Sequence, residues 1–102
     1  MDESALRQAT VAPTGDLDSA SSRSVEREVR ELYGSGVERV ILDLRGVGFL
    51  DSSGLRALIG LRNDAKRTSR GLALVPGPPG VQRIFSLTAT RGLFDWHEDG
   101  RA

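Results

Sequence analysis

The chain has 102 residues, 14 lysines plus arginines against 14 aspartates plus glutamates, and no cysteine. That length suits one domain, able to bury roughly two-thirds of its unfolded surface in a single core. Zero net charge argues against a basic nucleic-acid binder. The missing cysteines exclude disulfides, thiolate metal sites and thiol catalysis, and the lack of a long apolar run or a secretory leader predicts a soluble cytoplasmic protein.

Residues 1–8 are polar and without period, and are expected to be poorly ordered. Residues 9–13 read as a short strand, with Pro13 suited to a sheet edge, and residues 14–18 as a turn. Asp18 or Ser19 caps the next helix. Val25, Val29, Leu32 and Tyr33 recur there at helical spacing, among charges of both signs that mark a solvated face. Gly34-Ser35-Gly36 stops that helix.

Val40, Ile41, Leu42 and Leu44 form an apolar run broken by Asp43, which predicts a central strand covered on both faces. Arg45-Gly46-Val47-Gly48 ends it as a loop, with Phe49 and Leu50 anchoring that loop to the core. Beyond Asp51-Ser52-Ser53-Gly54, the spacing of Leu55, Leu58, Ile59 and Arg62 predicts an amphipathic helix, and Ala57, Leu61 and Ala65 widen its apolar stripe. Leu72-Ala73-Leu74-Val75 is a second buried strand, so strand, helix and strand read as a parallel unit with a right-handed crossover.

Pro76-Gly77-Pro78-Pro79-Gly80 reads as a rigid loop that blocks helix and ladder alike. Val81, Ile84 and Phe85 mark a small helix, and Leu93, Phe94 and Trp96 a last element packed on the core. Residues 97–102 are a polar tail. No internal repeat or second domain is visible in the sequence.

The turn before the central helix suits two roles. Asp51, Ser52 and Ser53 all carry oxygens that accept from the free N–H groups of a helix start, so a plain cap is one reading. A phosphate also fits there, because unpaired donors and the positive end of the helix dipole coincide. Gly54 carries no side chain, which leaves the serines open to approach. Other chemistries fit less well. A serine hydrolase needs a held imidazole, and the one histidine, His97, lies in the tail, while G-x-S-x-G is absent. Asp16, Asp18, Asp43 and Asp51 lack the spacing of a hard-cation loop, and Gly46 and Gly48 lack the lysine of a phosphate loop.

The segment VILDLRGVGFLDSSGLRALIGL, residues 40–61, resembles the signature of the STAS family, the anti-sigma-factor antagonists of bacteria. Gly15-Asp16-Leu17-Asp18 resembles the family's G-E-L-D element, with Asp16 in place of the glutamate. The resemblance implies an α/β fold: one domain over residues 1–102, with a small mixed β-sheet packed with about four helices. Two strands usually precede the G-E-L-D element, and this chain has room for little more than one, so the first hairpin is expected to be missing or degenerate.

The first serine of the family's turn is its phosphorylation site, which here is Ser52. The resemblance further implies a partner surface of Asp16, Asp18, Asp51, Ser52, Ser53 and Gly54. The implied partner is an anti-sigma-factor serine kinase, whose bound ATP belongs to it; the chain itself needs no cofactor and is not an enzyme. A non-enzymatic subunit of a transporter or signalling complex, in which Ser52 is only a cap, is the alternative role.

Overall fold

The computed structural model describes residues 7–97. The expected polar tail from residue 98 and the N-terminal segment up to residue 6 lie outside the described residues. Gln8 opens the first strand. The elements in order are β1 (Gln8–Val11), β2 (Gly15–Leu17), α1 (Ser19–Gly34), β3 (Arg39–Asp43), β4 (Val47–Leu50), α2 (Ser52–Arg67), β5 (Gly71–Val75), α3 (Pro79–Leu87), a 3-10 turn (Arg91–Leu93) and β6 (Asp95–Trp96).

The strands form a four-stranded sheet in the order β1-β3-β5-β6 and a separate pair, β2-β4. Every pairing among the described residues is parallel, so the antiparallel ladder of a mixed sheet is not found there. Three α-helices and the 3-10 turn answer to the expectation of about four helices. One strand, β1, precedes Gly15 among the described residues, and the residues in which a further strand was expected to be missing lie outside them.

Side chains alternate between the faces of a strand. Val40, Leu42 and Leu44 therefore join the main core with Leu58, Leu61, Leu74 and Phe85, while Ile41 joins Ala73 and Val75 in a second cluster. The central strand is buried on both faces, Asp43 included. The register Arg39↔Gly71 through Asp43↔Val75 sets β3 beside β5, making the strand–helix–strand unit parallel. At one end of the sheet Phe85, Phe94 and Trp96 meet edge to face, with centroids 5.5 Å (Phe85–Phe94) and 5.0 Å (Phe85–Trp96) apart.

Four local expectations need correction. Residues 14–18 are not a turn but contain β2, and Val47 opens β4 rather than closing a loop. Among the described residues each of these short strands has only the other as its ladder partner, a pairing that no local pattern reveals. Phe49 does not anchor to the core: it is 54% exposed, whereas Leu50 is buried. Pro79 does not block a helix but starts α3, where its missing N–H would be unpaired in any case.

The fold also contains a repeat that the sequence does not show. Strand β2, α1 and β3 are followed by β4, α2 and β5, with both helices 16 residues long. Each helix leaves through a residue with positive φ, Gly36 at 105° and Ser69 at 58°. The helices are tied across their surface by Arg30, whose guanidinium lies 2.7 Å from Asp64.

Candidate functional site

The site lies where β2 and β4 run side by side into their helices. Leu17 pairs with Leu50, so the next residues, Asp18 and Asp51, leave the strands together. Both are helix N-caps with extended backbones. This follows from residue type, since a short carboxylate in that conformation reaches the free amides of the first turn.

Asp18 is fully engaged within the chain. Its Oδ1 accepts from the amides of Ala20 at 3.1 Å and Ser21 at 3.0 Å. The Ser21 hydroxyl accepts from the Asp18 amide at 2.9 Å and lies 2.7 Å from the Asp16 carbonyl, completing a capping box. The hydrogen bonds from Ser21 hold the Asp18 carboxyl below the usual carboxylate range. Asp51 is engaged more simply, accepting from the Gly54 amide at 2.9 Å.

Ser52 is the first residue of α2 and is exposed, and its hydroxyl has no hydrogen-bond partner among the described residues. Ser53 is half-buried. It turns toward α1 and lines a cleft of about 250 Å³ between the helices, shared with Ser19, Arg23, Glu26 and Arg56. The two serines thus differ in access although they are neighbours in sequence.

Gly54 is buried, and its bare Cα faces inward. A Cβ there would stand 2.3 Å from the Leu17 carbonyl oxygen and 2.8 Å from Leu50 Cδ1. The glycine therefore lets α2 close onto β2; opening the serines to approach is not what its geometry explains. Asp16 is exposed and pairs with Phe49 in the β2-β4 ladder, beside a register shift. An acidic and an aromatic side chain consequently stand exposed on neighbouring strands of the pair that leads into α1 and α2. Phe49 was missed as a surface residue because an apolar side chain beside Leu50 reads as core.

The expected residues Asp16, Asp18, Asp51, Ser52, Ser53 and Gly54 are all brought to the strand ends of the β2-β4 pair. Asp43 has a different task. The Arg45 guanidinium grips it through Nε at 3.0 Å and Nη2 at 2.8 Å, and this holds its carboxyl below the usual range. No group of three metal-ligating side chains occurs among the described residues. No hydrogen bond among them joins the His97 ring to either serine of the turn. None of their helices is long and apolar enough to cross a membrane.

The STAS domain signature matches residues 3–99, almost the whole chain. The chain belongs to the STAS domain family. Among curated relatives, this STAS domain is 26% identical over 80 residues to the "Putative anti-sigma factor antagonist BtrV" of Bordetella bronchiseptica, covering 78% of this chain and 69% of that one. Among solved structures it shares its fold with SpoIIAA in its unphosphorylated form, at a TM-score of 0.74 and 17% identity over 95% of this chain and 86% of the other. The phosphorylated form of the same Bacillus cell fate determinant gives a TM-score of 0.68 at 14% identity, over 96% and 89%. Homologues of this kind are binding proteins without enzymatic activity.

Proposed function

We propose that this STAS domain is a cytoplasmic anti-sigma-factor antagonist that binds an ATP-loaded anti-sigma serine kinase and is released when that kinase phosphorylates Ser52. The observation that carries the reading is the exposed, unpartnered Ser52 hydroxyl at the first position of α2, held in place by the Asp51 cap and the close Gly54–Leu17 contact. The likeness to BtrV supports the partner class, and the match to SpoIIAA in both phosphorylation states supports a fold that persists through modification.

In this reading the unmodified protein presents Asp16, Phe49, Asp51 and Ser52 as one contact surface. Phosphorylation adds about −1.5 to −2 charges at neutral pH. The α2 N-terminus accommodates that charge, with a favourable contribution of roughly 0.3–1 kcal/mol at an exposed position. Against an acidic partner group or the nucleotide phosphates the sign reverses. Each unit-charge pair at about 6 Å costs roughly 0.7–2.8 kcal/mol at an effective dielectric of 80–20. Two such pairs lower affinity about tenfold or more, at about 1.4 kcal/mol per factor of ten.

Phosphopeptide mapping after incubation with the cognate kinase and MgATP tests this. Phosphate is expected on Ser52 and absent from Ser53. Phosphate on Ser53 in place of Ser52 would contradict the assignment.

A further inference from the structure

The two strand–cap–helix–strand units match closely at their helix starts. Leu17-Asp18-Ser19 and Leu50-Asp51-Ser52 each run from a strand-end leucine through an N-cap aspartate to the first residue of a 16-residue helix. Leu17 and Leu50 are register partners on neighbouring parallel strands, so the two serines emerge side by side. Adjacent strands lie roughly 4.8 Å apart. An arginine follows four residues after each serine, Arg23 and Arg56, and both line the same cleft between the helices.

Ser19 also matches Ser52 in access. It is exposed, and its hydroxyl has no partner among the described residues. Its neighbours are different. The Ser21 hydroxyl is taken up by the capping box, and Ser22 is only 4% exposed.

We propose that Ser19 is a second phosphoacceptor for the serine kinase that modifies Ser52. This rests on the kinase-partner reading given above and extends it. The Ser19 oxygen forms a bond to the γ-phosphorus of ATP while the bond from that phosphorus to the bridging oxygen breaks. ADP leaves, and the hydroxyl proton passes to a base of the kinase or to solvent. Because Leu17 and Leu50 pair in register, the two helix starts follow adjacent strand ends, and a kinase seated over Ser52 reaches Ser19 with a small shift along the same surface. The phosphate formed there borders the cleft that holds Arg23 and Arg56.

The test is exhaustive phosphorylation of the full chain with the cognate kinase and MgATP, read by intact mass and by tryptic peptides. Cleavage after Arg7, Arg23, Arg45 and Arg56 separates Ser19 from Ser52. Two phosphates are expected on the wild type, one each on Ser52→Ala and Ser19→Ala, and none on the double variant, with circular dichroism matching the parent throughout. A wild type labelled at Ser52 whose Ser52→Ala variant takes no phosphate overturns the Ser19 proposal and leaves the kinase reading standing. Phosphate persisting on the 8–23 peptide of Ser19→Ala does the same. A wild type that takes no phosphate at either serine overturns both.

Discussion

Gly54 sits so close to the Leu17 carbonyl that a Cβ on it would be 2.3 Å from the oxygen. The contact joins the two halves of the site, because Leu17 ends β2 and Gly54 lies in the first turn of α2. The Leu50 methyl can shift, but the Leu17 oxygen belongs to the backbone, so the strand or the helix itself must move. Gly54→Ala is therefore expected to lower stability by about 1–3 kcal/mol, the usual cost of overpacking. Chemical denaturation should show an earlier midpoint, and Ser52 phosphorylation should slow as the turn is pushed from β2.

The acidic residues of the site should separate into two kinds. Asp18→Ala and Asp51→Ala each remove a cap and should cost about 0.5–2 kcal/mol of stability. Asp16 carries an exposed side chain with no hydrogen-bond partner among the described residues, and Phe49 is 54% exposed. Asp16→Ala and Phe49→Ala should leave the melting temperature nearly unchanged while weakening kinase binding several-fold. Parallel melting and titration calorimetry read the two effects apart. Equal losses of stability and binding in Asp16→Ala would count against its place on the contact surface.

How much of this was legible in the sequence depends on the range of the interaction that decides each feature. The amphipathic patterns of α1 and α2 and the apolar runs of β3 and β5 are local, and they foretold those elements. The turn from Asp51 to Gly54 was equally legible, because cap chemistry is written in adjacent residues. Strands β2 and β4 were not, since three or four residues containing glycine become strands only by pairing with each other. For the same reason the sequence hid the side-by-side placement of Ser19 and Ser52 and the true task of Gly54, whose neighbour is Leu17. Phe49 misled because hydrophobicity reports a preference for burial, while its place on the β2-β4 ladder decides the outcome.

Stability should fall on the acid side through Asp43. Arg45 holds the folded-state pKa of Asp43 below its unfolded value. A depressed carboxylate binds fewer protons folded than unfolded, so its contribution is present above the unfolded pKa of about 4 and is lost as pH falls from there through the folded value. Asp18 and Asp64 are depressed too, by hydrogen bonds from Ser21 and from Arg30 with Arg67, and act in the same window. Asp43→Asn should flatten part of the drop in urea midpoint between about pH 4 and pH 2. An unchanged slope would mean that the Asp43–Arg45 pair contributes nothing to the acid limb.

The central claim is that charge at Ser52 controls binding while the fold stays as it is. The most direct measurement is the affinity of the ATP-loaded kinase for Ser52→Asp and Ser52→Ala, taken beside circular dichroism of both. The expected result is at least tenfold weaker binding for Ser52→Asp, near wild-type binding for Ser52→Ala that no longer responds to phosphorylation, and superimposable spectra. Ser52→Asp binding as tightly as wild type, or losing the helix from Gly54 onward, would contradict it.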